Sequence, residues 1–202
     1  MDLGNQSIDN FLRSVAAKSP TPGGGAVASV TAALAAALGQ MVLNYSLGKK
    51  SLAAHENANT AALKNLEEAS AHALQLAEAD AIAYGRLNQL WKLDQSDPRR
   101  VAEFPQAVSD AIAAPRNVLN LALSMLRLLR MLPATTNSML KSDLAIAGVL
   151  AEAASRAAAW NVRINLPLVE NAETADSLNR ELQESLHEAH TLASAIEIAC
   201  RS

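Results

Sequence analysis

At 202 residues the chain is long enough for one domain with its own core, read here as a single unit over residues 1–202. Half of it is hydrophobic but only 3% is aromatic, so small and aliphatic side chains must build that core, and the strand-forming residues never gather into alternating runs. A net charge of -3 leaves no basic footprint for nucleic acid, and the single cysteine, Cys200, excludes an internal disulfide.

In chain order, Met1 to Asn5 has neither a basic region nor an immediate apolar core, which argues against a signal peptide and for a cytoplasmic location. Ser7 to Ala17 predicts a short helix with Ile8, Phe11, Leu12 and Val15 on one face. Lys18 to Gly25 is a loop holding Pro20-Thr21-Pro22-Gly23-Gly24-Gly25. A second helix follows to about Leu47, with Val27, Val30, Leu34, Leu38, Met41 and Tyr45 on one side. No charge interrupts Ser19 to Gly48, long enough to span a bilayer, but its polar residues and alanines favour a helix surrounded by protein over a membrane span. Gly48-Lys49-Lys50 ends it, glycine and cations both being favoured there.

Leu52 to Trp91 contains no proline and predicts one long helix, with Leu63, Leu66, Ala73, Ala77, Ala81 and Tyr84 as its seam. Lys92 to Pro105 reads as an exposed loop, and Gln106 to Leu132 as a helix broken or kinked at Pro115. After a short connection, Ser142 is expected to cap a helix running to about Trp160. Asn161 to Pro167 leaves that helix, and Ala172 to Ile198 forms the last one. The expected fold is all-α, a single-domain bundle of long helices.

Four places invite chemistry. The Pro22-Gly23-Gly24-Gly25 turn would aim free helix N–H groups at an anion. It is no P-loop, since no Gly-Lys-Ser/Thr follows. Asp80 lies between Leu76 and Tyr84 on an apolar stripe, and a buried carboxyl there must be paired, liganded or protonated. Asp143, with Asn137 and Ser142, forms a polar cluster at a helix start, where an acid is favoured on electrostatic grounds alone. Asn161 and Asn165 are four apart, with Arg163 between them, and share a face if the chain stays helical, where their amides either bind a ligand or satisfy the carbonyls of the helix end. The four histidines show no metal-ligand spacing, and nothing resembles an ordered nucleophilic triad.

These residues, in this order, resemble the formiminotransferase-cyclodeaminase carboxyl-domain family. The similarity runs through Pro20-Thr-Pro-Gly-Gly-Gly25, Met41-Val42, Gly48-Lys49-Lys50, Asp80 with Ala83 and Tyr84, Asn137, Ser142-Asp143, Ala147, and Asn161-Val162-Arg163-Ile164-Asn165-Leu166. The resemblance implies a helical homodimer that binds a folate-type molecule and opens the methenyl bridge of 5,10-methenyltetrahydrofolate by hydrolysis. It implies no metal and no redox cofactor, the tetrahydrofolate derivative being the substrate. Asp80 and Asp143 would be catalytic. Pro22, Gly23, Gly24, Gly25, Lys49, Lys50, Asn137, Ser142, Asn161, Arg163 and Asn165 would bind substrate. The related cyclodeaminase reaction, which closes the bridge with loss of ammonia, is the alternative, followed by a non-catalytic folate or small-anion binder and a helical scaffold. The chain departs from the family at Leu90-Trp91-Lys92, at Ala114-Pro115-Arg116 and at Thr136 before Asn137, which bears on substrate identity.

Overall fold

The computed structural model describes residues 3–201. The Met1-Asp2 start of the segment read against a signal peptide, and Ser202, lie outside them. Six α-helices follow in order: α1 (Ile8–Ala16), α2 (Gly24–Asn44), α3 (Glu56–Trp91), α4 (Pro98–Leu129), α5 (Lys141–Arg163) and α6 (Ala172–Arg201). Among the described residues there is no strand. Helices α2 to α5 run alternately up and down as a four-cornered bundle, α2 and α4 each lying beside α3 and α5. Helix α6 lies on the outer groove between α4 and α5. Arg116 pairs with Glu181 and Arg127 with Glu188, so α6 runs parallel to α4. Both pairs are substantially exposed and set register more than they add stability.

The core is aliphatic. Leu66, Leu126, Leu129, Leu144 and Ile196 are fully buried, each contributing about 1.5–3 kcal/mol by removal from water. Gly39 lets α2 approach closely, because a Cβ there would press on Leu66 and Leu129 at 2.8 and 3.0 Å.

Several sequence expectations change. The predicted apolar side of α2 is turned only partly inward: Leu34 is 54% exposed, Val27 and Tyr45 (just past the helix end) are exposed too, and Val30, Leu38 and Met41 are half-buried. The buried side is Gly25, Ala28, Ala32, Ala35, Ala36, Gly39, Val42 and Leu43, because small residues on two faces allow α3 and α5 to close in from both sides. The expected loop to Pro105 shrinks to a few residues. Asp97 caps α4, accepting from the N–H groups of Arg99 and Arg100, and Pro98 occupies the first turn, where its missing N–H costs nothing. Helix α4 also continues through Pro115 without a break. Ser142 is not a cap: α5 begins at Lys141, after Asn137 Oδ1 accepts from Met139 N and starts a short turn leading straight into it. Helix α5 runs on to Arg163, so Asn161 is helical. Helix α2 stops at Asn44, and the turn after it ends at Gly48, whose φ of 73° is in the left-handed region glycine favours.

Candidate functional site

The predicted site residues fall into two groups at opposite ends of the bundle. Gly23–Gly25, Asp80, Asn161, Arg163 and Asn165 gather at one end, the glycine end. Lys49, Lys50, Asn137, Ser142 and Asp143 gather at the other, the lysine end. Along α5, Asp143 and Asn161 are separated by about 27 Å at the helical rise. Asp80 and Asp143, both expected to be catalytic, thus lie at opposite poles of one copy. Helices α3 and α5 both run from the lysine end to the glycine end, so Asp143, in the first turn of α5, and Asp80, in the last third of α3, fall at opposite poles.

The glycine end is built by close approach. Pro22 follows a cis peptide bond and is buried, and Gly23 begins α2 with no side-chain cap. The first N–H groups of α2 therefore have no partner within the helix. The Asp80 carboxyl, carried by α3, lies against Gly25, and a methyl added there would overlap it. Burial raises the Asp80 carboxyl above its ordinary value. Beside it, Asn161 Oδ1 would be 3.2 Å from a Cβ on Gly24. Phe11 from α1 packs on Ala26 and Ala77, one turn or less from Gly25 and Asp80, and covers one side of the notch. The Arg163 guanidinium stacks over the Trp160 ring at 5.3 Å, which keeps a cation at this end. Asn165 spends both amide protons within the protein, on the carbonyls of Ala111 (3.3 Å) and Asn161 (3.0 Å). Of the two roles open to this amide, ligand contact and satisfaction of helix-end carbonyls, its N–H groups take the second.

The lysine end is held by turns. Ser46 Oγ donates to Val42 O at 2.6 Å and accepts from Asn137 N at 2.9 Å, tying the exit of α2 to the entry of α5. Glu56 accepts from Gly48 N. Lys49, Lys50 and Ser142 are exposed, and Asp143 is half-buried. Ser46 and Glu56 escaped the sequence reading. Their only signal is position, a hydroxyl and an acid bracketing the Gly48 turn. The well-formed cavity elsewhere, about 350 Å³ between α4 and α6, contains none of the predicted residues, and its Arg116 is committed to Glu181.

A partly desolvated carboxyl beside a helix N-terminus can hold or pass a proton, stabilise a positive ligand, and leave N–H groups for an anionic part of the same ligand. That defines the class: an up-and-down helical domain with a partly desolvated carboxyl set against a helix N-terminus at one end. Comparison with known proteins is specific. Residues 7–184 match the model of the family described as formiminotransferase-cyclodeaminase. The formimidoyltransferase-cyclodeaminase of Gallus gallus is 31% identical over 191 residues, covering 91% of this chain and 35% of that protein. The methenyltetrahydrofolate cyclohydrolase of Methylorubrum extorquens is 28% identical over 193 residues, covering 94% of this chain and 93% of that one. The crystal structure of formiminotetrahydrofolate cyclodeaminase from Thermotoga maritima superposes with a TM-score of 0.91 at 27% identity, covering 98% and 97% of the two chains. The chain belongs to the formiminotransferase-cyclodeaminase family. It spans about a third of the length of the animal relatives it matches.

Proposed function

We propose that this protein is a folate one-carbon enzyme that hydrolyses 5,10-methenyltetrahydrofolate to 10-formyltetrahydrofolate. The observation that carries the reading is the Asp80 carboxyl seated on Gly25 at the start of α2, within a chain of this family. The methenyl carbon bridges two nitrogens as a cation, so an ionised Asp80 stabilises it and orients the attacking water. Water adds to the bridging carbon and passes a proton to Asp80. The bond from that carbon to N5 then breaks, the proton is delivered to N5, and the remaining O–H proton leaves as the formyl carbonyl forms on N10. One proton is released overall. In this scheme water and the substrate's own cation supply the reactants, with no metal or redox step.

The near end-to-end match to a cyclohydrolase supports this choice, and the matches to cyclodeaminases support the runner-up, closure of the same bridge with loss of ammonia. Loss of the near-ultraviolet absorption of methenyltetrahydrofolate above the uncatalysed rate tests the first. A rise in that absorption from formiminotetrahydrofolate tests the second. Folate binding without turnover points to a binder, and no binding to a scaffold.

The working unit in this reading is a cytoplasmic homodimer. Val27, Leu34 and Tyr45 on α2 and Ile146, Val149 and Trp160 on the neighbouring α5 are exposed, and α2 carries no charge. A second copy can cover this face, whose α2 half presents no charge. A two-fold axis perpendicular to α2 would lay the lysine end of each copy beside the glycine end of its partner. This pairing accounts for the division of the family's site residues between two poles, with Lys49 and Lys50 facing the anionic tail of folate.

A further inference from the structure

Pro115 lies in the interior of α4, where it has no N–H to offer the carbonyl of Ala111 four residues back. Ala111 is buried, so an unanswered carbonyl there carries the full penalty of desolvation. Asn165 supplies the missing donor, its Nδ2 reaching Ala111 O at 3.3 Å. The second proton of that amide goes to Asn161 O at 3.0 Å. This carbonyl has also lost its ordinary helical partner, because Asn165 N bonds instead to Val162 O as α5 tightens at its end. One side-chain amide thus answers two carbonyls that their own helices leave open, and it joins α4 to the last turn of α5.

That last turn carries Asn161. Its Nδ2 donates to Ala157 O at 3.1 Å, leaving Oδ1 beside Gly24, next to the glycine that seats Asp80. We infer that Asn165 is a positioning residue: through the carbonyl freed by Pro115 it pins the end of α5 to α4, and so holds Asn161 against the glycine turn. The inference deepens the folate reading of this site and rests on it for its kinetic consequence alone. The anchor itself is a matter of structure.

The test is a double-mutant cycle between Asn165→Ala and Pro115→Ala, read by urea unfolding, by Trp160 fluorescence in a Trp91→Phe background, and by steady-state turnover of methenyltetrahydrofolate. Asn165→Ala alone raises the unfolding equilibrium constant about tenfold, since it strands a buried carbonyl. In the Pro115→Ala background the new N–H of residue 115 reaches Ala111 O, and the same change raises it less than threefold. Stability is rescued, but the tie between the helices is not. Asn165→Ala therefore lowers kcat about tenfold with KM little changed, and shifts Trp160 emission, in both backgrounds. Equal stability costs in the two backgrounds would overturn the carbonyl pairing. Recovery of kcat and of Trp160 emission along with stability would overturn the positioning role. If the wild-type chain turns over no folate, the functional reading fails, and unfolding and fluorescence still decide the anchor.

Discussion

Each pole of this bundle holds one of the two acids expected to be catalytic, and they treat it differently. At the glycine end Asp80 is pressed against Gly25, partly desolvated, and its carboxyl is raised by burial. At the lysine end Asp143 stands in the first turn of α5, where the helix dipole favours any acid. The first arrangement gives up stability to keep a carboxyl in a place water would not choose. The second is ordinary helix electrostatics. In the proposed reaction this contrast favours Asp80 over Asp143 for the proton transfer, and Asp143 joins it only where a second copy brings it to the same substrate.

Asp80→Asn is the strongest way to test that contrast. It should lower kcat/KM for methenyltetrahydrofolate by about 100-fold or more in the spectroscopic assay. The effect on stability runs the other way. A carboxyl raised on folding binds its proton more tightly in the native state, so stability falls as pH rises from the ordinary carboxylate value through the raised one. Removing the charge should therefore leave thermal stability at neutral pH unchanged or higher. The same sign places an acid limb in the pH profile, activity declining as pH drops through the raised value and the carboxylate is protonated.

Gly25→Ala comes next, because the added methyl must displace the Asp80 carboxyl. Activity should fall at least tenfold, at a cost of about 1–3 kcal/mol in unfolding free energy. Gly24→Ala, whose neighbour is the Asn161 amide at 3.2 Å, should do distinctly less. If the two variants behave alike, the notch is not organised around Asp80.

The link between the poles can be broken or restored by mixing copies. Leu34→Glu puts a charge on the exposed face of α2 and should give a monomer by sedimentation, with activity lost. Asp80→Asn and Asp143→Asn, each inactive alone, should recover about a quarter of wild-type activity after unfolding and refolding together. Half the dimers are then mixed, and each has one intact site of two. No recovery would separate the poles functionally. The smallest effect expected is from Lys49→Ala with Lys50→Ala, a several-fold rise in KM for a polyglutamylated substrate that fades at high salt, with kcat preserved.

Much of this molecule could be read without coordinates. Alanine and leucine spacing announces long helices, and prolines and glycines mark most of their ends, because helix propensity and capping act over a few residues. The Pro20 to Gly25 turn and the lone carboxyl at Asp80 stood out for the same local reason. Misreadings arose where a distant partner reverses a local rule. Pro115 looked like a break, but Asn165 answers the carbonyl it frees, from 54 residues away, and α4 runs on. Val27 and Leu34 of α2 fit a buried side by hydrophobicity yet are exposed, while its alanines and glycines are buried along most of its length, because close helix approach there selects for size before hydrophobicity. Residue order thus establishes the helices, their turns and the types of group available for chemistry. Which acid is desolvated, which end of the bundle each group occupies, and which apolar face is left exposed follow only from the packing of the helices. These are distances between residues far apart in sequence, and no local pattern encodes them.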